Sequence, residues 1–134
     1  MEAALRDWLF GCNPWGTSMI VELPLYGDYP SQPHSSLLNA GVGNTTGGRV
    51  DGPVYRSIFE GLRGVNMTGI PGTPGQDYER FQPDLMVYHD ALHDYSTNEP
   101  TMDGTACLTY YLSAMQKEGM KQAGASAEIG RAHV

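Results

Sequence analysis

Between Tyr88 and Pro100 the sequence reads YHDALHDYSTNEP and gathers His89, Asp90, His93, Asp94 and Glu99 into one short stretch. Carboxylates and imidazoles are the groups that move protons or bind metals near neutral pH. A metal site is one reading: on a helix His89 and His93 share a face, and an Asp completes a ligand set. The stretch is poor in helix-forming pattern, however, and offers no third nitrogen or sulfur ligand, so no metal is assigned. Proton transfer is the other reading, and it centres on Glu99. A carboxylate beside Pro100, at the start of a helix, is favoured in its ionised form by the positive end of the dipole. That role is a cap. To donate a proton, such a group needs burial or a neighbouring negative charge, and Asp90 and Asp94 are its neighbours in sequence.

The elements that must hold this stretch are few. Ala3, Ala4, Leu5, Trp8 and Leu9 recur at helical spacing and Gly11 supplies a stop, which predicts a helix over 1–11. A second is predicted from Pro100 to Lys117, with Pro100 in its first turn. There Ala106, Cys107, Leu108, Tyr110, Tyr111, Leu112, Ala114 and Met115 form an apolar surface broad enough for burial on more than one side. Between the two lie turn-rich stretches, NPWG, YGDYPSQP, NAGVGNTTGGRVDGP and GIPGTPG, with one short amphipathic helix expected at Val54–Leu62. Loop systems of this length carry binding or catalysis when they sit on a rigid scaffold. GVGNTTGGRVDG lacks the Gly-Lys-Ser/Thr ending of a phosphate loop and is read as turns. Trp15, Tyr26, Tyr29, Tyr55, Tyr88 and Tyr95 offer flat apolar faces suited to sugar rings, or to core packing.

The bulk properties bound the partners. A net charge of −7 with eight Lys and Arg argues against nucleic acid, and no apolar run approaches the ~20 residues that span a membrane. Cys12 and Cys107, each beside an apolar stretch, read as two buried thiols rather than a disulfide or metal pair. The helix starting abruptly at Met1 suggests missing upstream sequence. The final EIGRAHV, residues 128–134, resembles a translated sequencing adapter. The expectation is that residues 1–118 are one part of a larger domain and 119–134 a tail.

Taken together, Tyr88, Asp90, Tyr95, Glu99 and Thr101 fill in order a known pattern: aromatic, any residue, Asp, four residues, aromatic, three residues, Glu, any residue, small residue. The stretch resembles the C-terminal active-site signature of glycoside hydrolase family 9, the cellulase family of inverting endoglucanases. Ala106 also fits, whereas Thr105 stands where the family usually has Asn. GCNPWGTSMIVELPLYGDYPSQPHSS is similar to the family's upstream motif, with Pro33 and His34 matching and Ser36 in place of an Arg. GGRVDGPVYRSIFEGLRG and FQPDLMVYHD look like a bacterial branch. The resemblance covers roughly residues 1–116.

It implies a mostly α fold with long loops, the C-terminal portion of an (α/α)6 barrel. It implies Glu99 as general acid, Asp90 as supporting carboxylate and His34 as a contact to sugar hydroxyls, with Trp15, Tyr88 and Tyr95 along the substrate. The partner implied is a β-glucan polysaccharide or oligosaccharide, met outside the cytoplasm or in the periplasm. No cofactor is required. Structural calcium belongs to some family members, and no ligands for it are assigned here. The family's base comes from an Asp-Ala-Gly-Asp motif that this sequence does not contain. The expectation is therefore a fragment that carries the acid without the base and is inactive alone, missing the N-terminal part of its own domain. The competing expectations are a non-catalytic carbohydrate-binding or interaction module, and a metal-dependent hydrolase using His89 and His93.

Overall fold

The structure, a computed structural model, describes residues 2–61 and 84–131. The element order is α1 (Glu2–Leu9), α2 (Ser36–Asn39), β1 (Val54–Tyr55), α3 (Arg56–Gly61), β2 (Met86–Val87) and α4 (Met102–Arg131). Leu62, a sequon at Asn66 and the turn-rich 69–75 lie outside the described residues.

The first helix ends where its sequence says it should. Gly11 takes a left-handed φ of 115°, a conformation without steric cost only for glycine. Asn13 then locks the exit: its amide donates to the carbonyls of Trp8 (2.8 Å) and Thr17 (2.7 Å), and its side-chain oxygen accepts from the Trp15 amide. The NPWG turn is thereby fixed, and it drops Trp15 into the core.

The chain after this turn builds an irregular antiparallel ladder that the sequence did not announce. Met19 to Val21 pairs with Gly47 to Val50 through Val21 N–H to Gly48 O (2.9 Å), Gly47 N–H to Val21 O (2.9 Å) and Val50 N–H to Met19 O (3.0 Å). On its other edge Val50 pairs with Pro100, closed by Asp51 N–H to Glu99 O (3.1 Å) and Thr101 N–H to Arg49 O (3.1 Å). Pro100 therefore sits in the ladder and not in the helix. Lacking an N–H, it fits an edge position where no donor is needed. A separate antiparallel pair joins β1 to β2, with Val54 opposite Val87.

One core cluster packs Trp15, Met19, Val21, Val50 and Tyr88, with Trp8, Leu9 and Met86 against it. A second joins Phe59 and Val87, flanked by Val54 and Tyr95. Several expectations change here. The middle helix starts later than predicted, at Arg56, because Val54 and Tyr55 are drawn into pairing with β2. Of its predicted face, Phe59 is buried and Ile58 is exposed. Cys12 and Cys107 are exposed, free thiols. The last helix runs well past Lys117, since its later residues are largely helix formers. It is also far from buried on several sides. Among its described side-chain positions only Gly104 and Leu108 are buried, while Tyr110 is 80% exposed. Its apolar breadth instead lines an open groove against α1, formed by Leu5, Trp8, Leu9, Cys107, Leu108 and Tyr111. The Tyr111 hydroxyl donates to the Glu2 carbonyl at the rim.

Gly48 tests the ladder. A Cβ there would stand 2.9 Å from the Thr45 carbonyl oxygen and 3.0 Å from Pro100 Cβ, so backbone must shift. Gly48→Ala is expected to destabilise the chain by ~1–3 kcal/mol in denaturant unfolding. A neutral or stabilising result would contradict the close approach of the two segments.

Candidate active site

Asp90 is buried, 3% exposed, and a buried carboxylate is tolerable only with donors around it. Ser31 gives two, its amide at 2.7 Å and its hydroxyl at 3.0 Å, both to Oδ2. Oδ1 accepts from the Gln32 amide at 2.9 Å and from the Asn98 side-chain amide at 2.8 Å. Asp90 thus ties the 31–34 segment to the segment that leads into α4.

Asn98 is the common member. Fully buried, it donates to Asp90 and to the Gln32 carbonyl (2.8 Å), and its oxygen accepts from the Tyr88 hydroxyl (3.2 Å). Its own carbonyl accepts from the His34 amide at 2.9 Å. The next residue is Glu99, whose carbonyl is held by Asp51. Its main chain is therefore pinned from both sides while its side chain is exposed. Glu99 is not the cap of α4. The helix begins at Met102, and the acidic residue of its first turn is Asp103. Asp103 is held below the usual carboxylate range by the Gly104 amide and Thr101.

His34 is half-buried, and its Nδ1–H donates to the Leu92 carbonyl at 2.7 Å. A carbonyl only accepts, so the proton of the neutral ring is on Nδ1 and Nε2 is the acceptor. The Tyr95 ring meets the imidazole edge-on at 6.1 Å and 64°. Both belong to the same corner as Asn98 through the His34 amide.

Trp15 and Tyr88 require a correction. They are 5% and 0% exposed and contact each other edge to face at 6.3 Å. Neither presents a ring face on which a sugar could stack. NPWG and the Asp90 network draw them inward because aromatic burial is worth more here than exposure. Tyr88 still serves the corner, through its bond to Asn98. Tyr26 and Tyr55 are the exposed tyrosines of the sequence-selected set.

Asp94 and His89 form a second knot. Asp94 is 0% exposed; Oδ1 accepts from the amides of Ser96 (2.9 Å) and Thr97 (3.0 Å) and the Ser96 hydroxyl (2.6 Å). Oδ2 accepts from the Thr97 hydroxyl (2.8 Å) and lies 3.2 Å from His89 Nδ1. His89 stacks on Phe59 at 4.6 Å and 23°. His93 is exposed in the turn. Among the described residues no group of three His, Cys, Asp or Glu is placed to hold a metal ion.

Two carboxylates that adjoin Glu99 in sequence, Asp90 and Asp94, are thus spent on structure. The carboxylate that faces Glu99 is Asp51, which sequence reasoning missed because the pairing of 49–51 with 99–101 is not a local feature. Asp51 keeps access to solvent, yet the surrounding chain desolvates it enough to push its carboxyl up. Arg49 pulls it down, and the negative Glu99 and Asp103 raise it again, leaving it above the ordinary 3.8.

Two outcomes check these roles. Asp90→Ala strands four donors and is expected to cost on the order of 3 kcal/mol in denaturant unfolding. A loss within about 0.5 kcal/mol would show the network to be dispensable. Burial pushes the Asp94 carboxyl up, but the bonds from His89, Ser96 and Thr97 outweigh it, so the folded value lies below 3.8. Its stabilisation is therefore present above pH ~4 and is lost as pH falls through the folded value. Asp94→Asn should flatten the acid limb of stability against pH; an unchanged acid limb would contradict this.

Comparison with known proteins gives one match. No curated protein and no solved structure matches the chain. The model of "Glycosyl hydrolase family 9", however, matches residues 2–112, most of its length, which takes in α1, the Asp90–Glu99 stretch and the start of α4. The chain belongs to glycosyl hydrolase family 9.

Proposed function

We propose that this chain is the acid-bearing C-terminal part of an inverting β-1,4-glucan hydrolase, with Glu99 as the general acid. Glu99 protonates the glycosidic oxygen as the bond to the leaving sugar breaks. A second carboxylate, ~6.5–9.5 Å away in inverting enzymes, activates water on the opposite face. That base lies outside this chain, which has no Asp-Ala-Gly-Asp motif. Asp90 acts as a positioning residue, and His34 meets sugar hydroxyls through Nε2, with Tyr95 beside it. The parent works on polymeric glucan outside the cytoplasm or in the periplasm.

The observation that supports this reading is the exposure of Glu99 on a main chain held at Asn98 and Glu99 carbonyls. A general acid needs that combination of a fixed root and a reachable carboxyl. The open apolar groove between α1 and α4 supports the fragment reading, since an intact domain would cover such a surface. A free-standing sugar-binding module would need its largest loop aromatic exposed, and Trp15 is buried.

In the full-length parent, Glu99→Gln should lower turnover of cello-oligosaccharides by ~10²–10⁴-fold. Turnover of an aryl glycoside whose phenolate leaves unassisted should fall far less. Equal losses on both substrates, or near-normal turnover of the oligosaccharide, would remove Glu99 from the acid role. The chain alone should release no reducing ends from β-glucan; release that Glu99→Gln abolishes would overturn the missing-base clause.

A further inference from the structure

We propose that Asp51 is a positioning residue for the reaction assigned to Glu99: it holds the Glu99 main chain and faces the Glu99 side chain across the Val50–Pro100 pairing, so that two like charges stand side by side on one face. This inference rests on the acid reading of Glu99 and adds to it a partner from a distant loop.

The geometry comes from the backbone. Val50 pairs with Pro100 in antiparallel sense, flanked by Asp51 N–H to Glu99 O and Thr101 N–H to Arg49 O. That register sets Asp51 directly opposite Glu99, and Arg49 opposite Thr101. Side chains alternate faces along such a segment. Val50 is 0% exposed, packed into the main core, so Arg49, Asp51, Glu99 and Thr101 share the other face. Residues directly opposite have Cβ atoms ~4.5–5.5 Å apart, and like charges so placed repel. A fold has no stability reason to place two acids there, which marks the pair as a candidate for chemistry.

The charged groups facing Asp51 are Glu99 across the pairing, Arg49 on its own segment and Asp103 in the first turn of α4. Arg49 is anchored, its Nη1 donating to the carbonyls of Val50 (3.2 Å) and Asp51 (3.4 Å). Gly104 leaves the room it occupies, because a Cβ there would lie 2.6 Å from Arg49 Nη2. One guanidinium thus stands among three carboxylates, too few positive charges to ionise all of them without cost. The outcome for Asp51 is retention of its proton above the ordinary range. An Asp51 carboxyl that keeps its proton in this way leaves a second acid beside Glu99 at a pH where isolated carboxyls have lost theirs.

The test follows the Asp51 carboxyl carbon by NMR across pH in the whole chain. Its midpoint should lie above 3.8, and Glu99→Gln should lower it by about half a pH unit. Arg49→Gln should raise it. A midpoint unmoved by Glu99→Gln in a folded variant overturns the proposal. Should that variant fail to fold, amide exchange in the unmodified chain decides: the Asp51 N–H must be protected, and exchange at the rate of an open loop overturns the pairing. Neither readout depends on turnover. A coupled pair with normal turnover in Glu99→Gln would discard the acid role and leave the pairing standing.

Discussion

A buried negative charge is costly, and the corner around Glu99 is organised by what this chain does to keep Asp90 inside. Four donors converge on it from Ser31, Gln32 and Asn98. Those of Ser31 and Gln32 come from almost sixty residues upstream of Asp90, so satisfying one carboxylate also closes a long loop. Asn98 turns that closure into position. It spends its amide on Asp90 and Gln32 and its oxygen on Tyr88, which leaves its torsions no freedom. The residue that follows is the one whose carboxyl reaches solvent. Networks of this kind specify a single arrangement because each member left unpaired would lose more than it gains elsewhere.

The other acids divide the remaining work. Asp94 closes its own turn and fixes His89 against Phe59. Asp103 starts α4. Asp51 stands across from Glu99 on the exposed face of the ladder. Burial separates Asp90 and Asp94 from Asp51 and Glu99, which stay exposed. Arg49 links the ladder to the helix: its amide donates to the Thr105 hydroxyl at 3.0 Å, and that hydroxyl donates to the Thr101 carbonyl at 2.7 Å. The helix therefore holds the 99–101 segment by its first turn, even though most of its length is uncovered.

The sequence made α1, its stop at Gly11, and the spacing of Asp90, Tyr95 and Glu99 legible, because helical periodicity and motif gaps are local. It placed the start of α4 two residues early and its end well short, since Pro100 suits a helix start as well as an edge strand. Trp15 and Tyr88 were readable either as sugar platforms or as core, and the structure buries both. Type alone does not separate an aromatic that stacks on sugar from one that fills a core; only the Asn13 turn and the bond to Asn98 decide. Asp51 was invisible for a further reason. GGRVDGP reads as turns, and nothing in it says that its Asp will lie opposite Glu99. The partner of a charge is a property of register between distant segments.

The central claim is that the Asp90–Asn98 interaction sets the backbone from which Glu99 projects. Site-resolved amide hydrogen exchange of Asp90→Asn against the unmodified chain tests it most directly. The amides of His34 and Asp51, which donate to the carbonyls of Asn98 and Glu99, should lose protection together by tenfold or more, since tenfold corresponds to only ~1.4 kcal/mol. The amide of Val50, held to Met19 on the far side of the ladder, should change much less. Unchanged protection at His34 and Asp51 would mean that Glu99 is held by something other than the buried carboxylate, and would contradict the account.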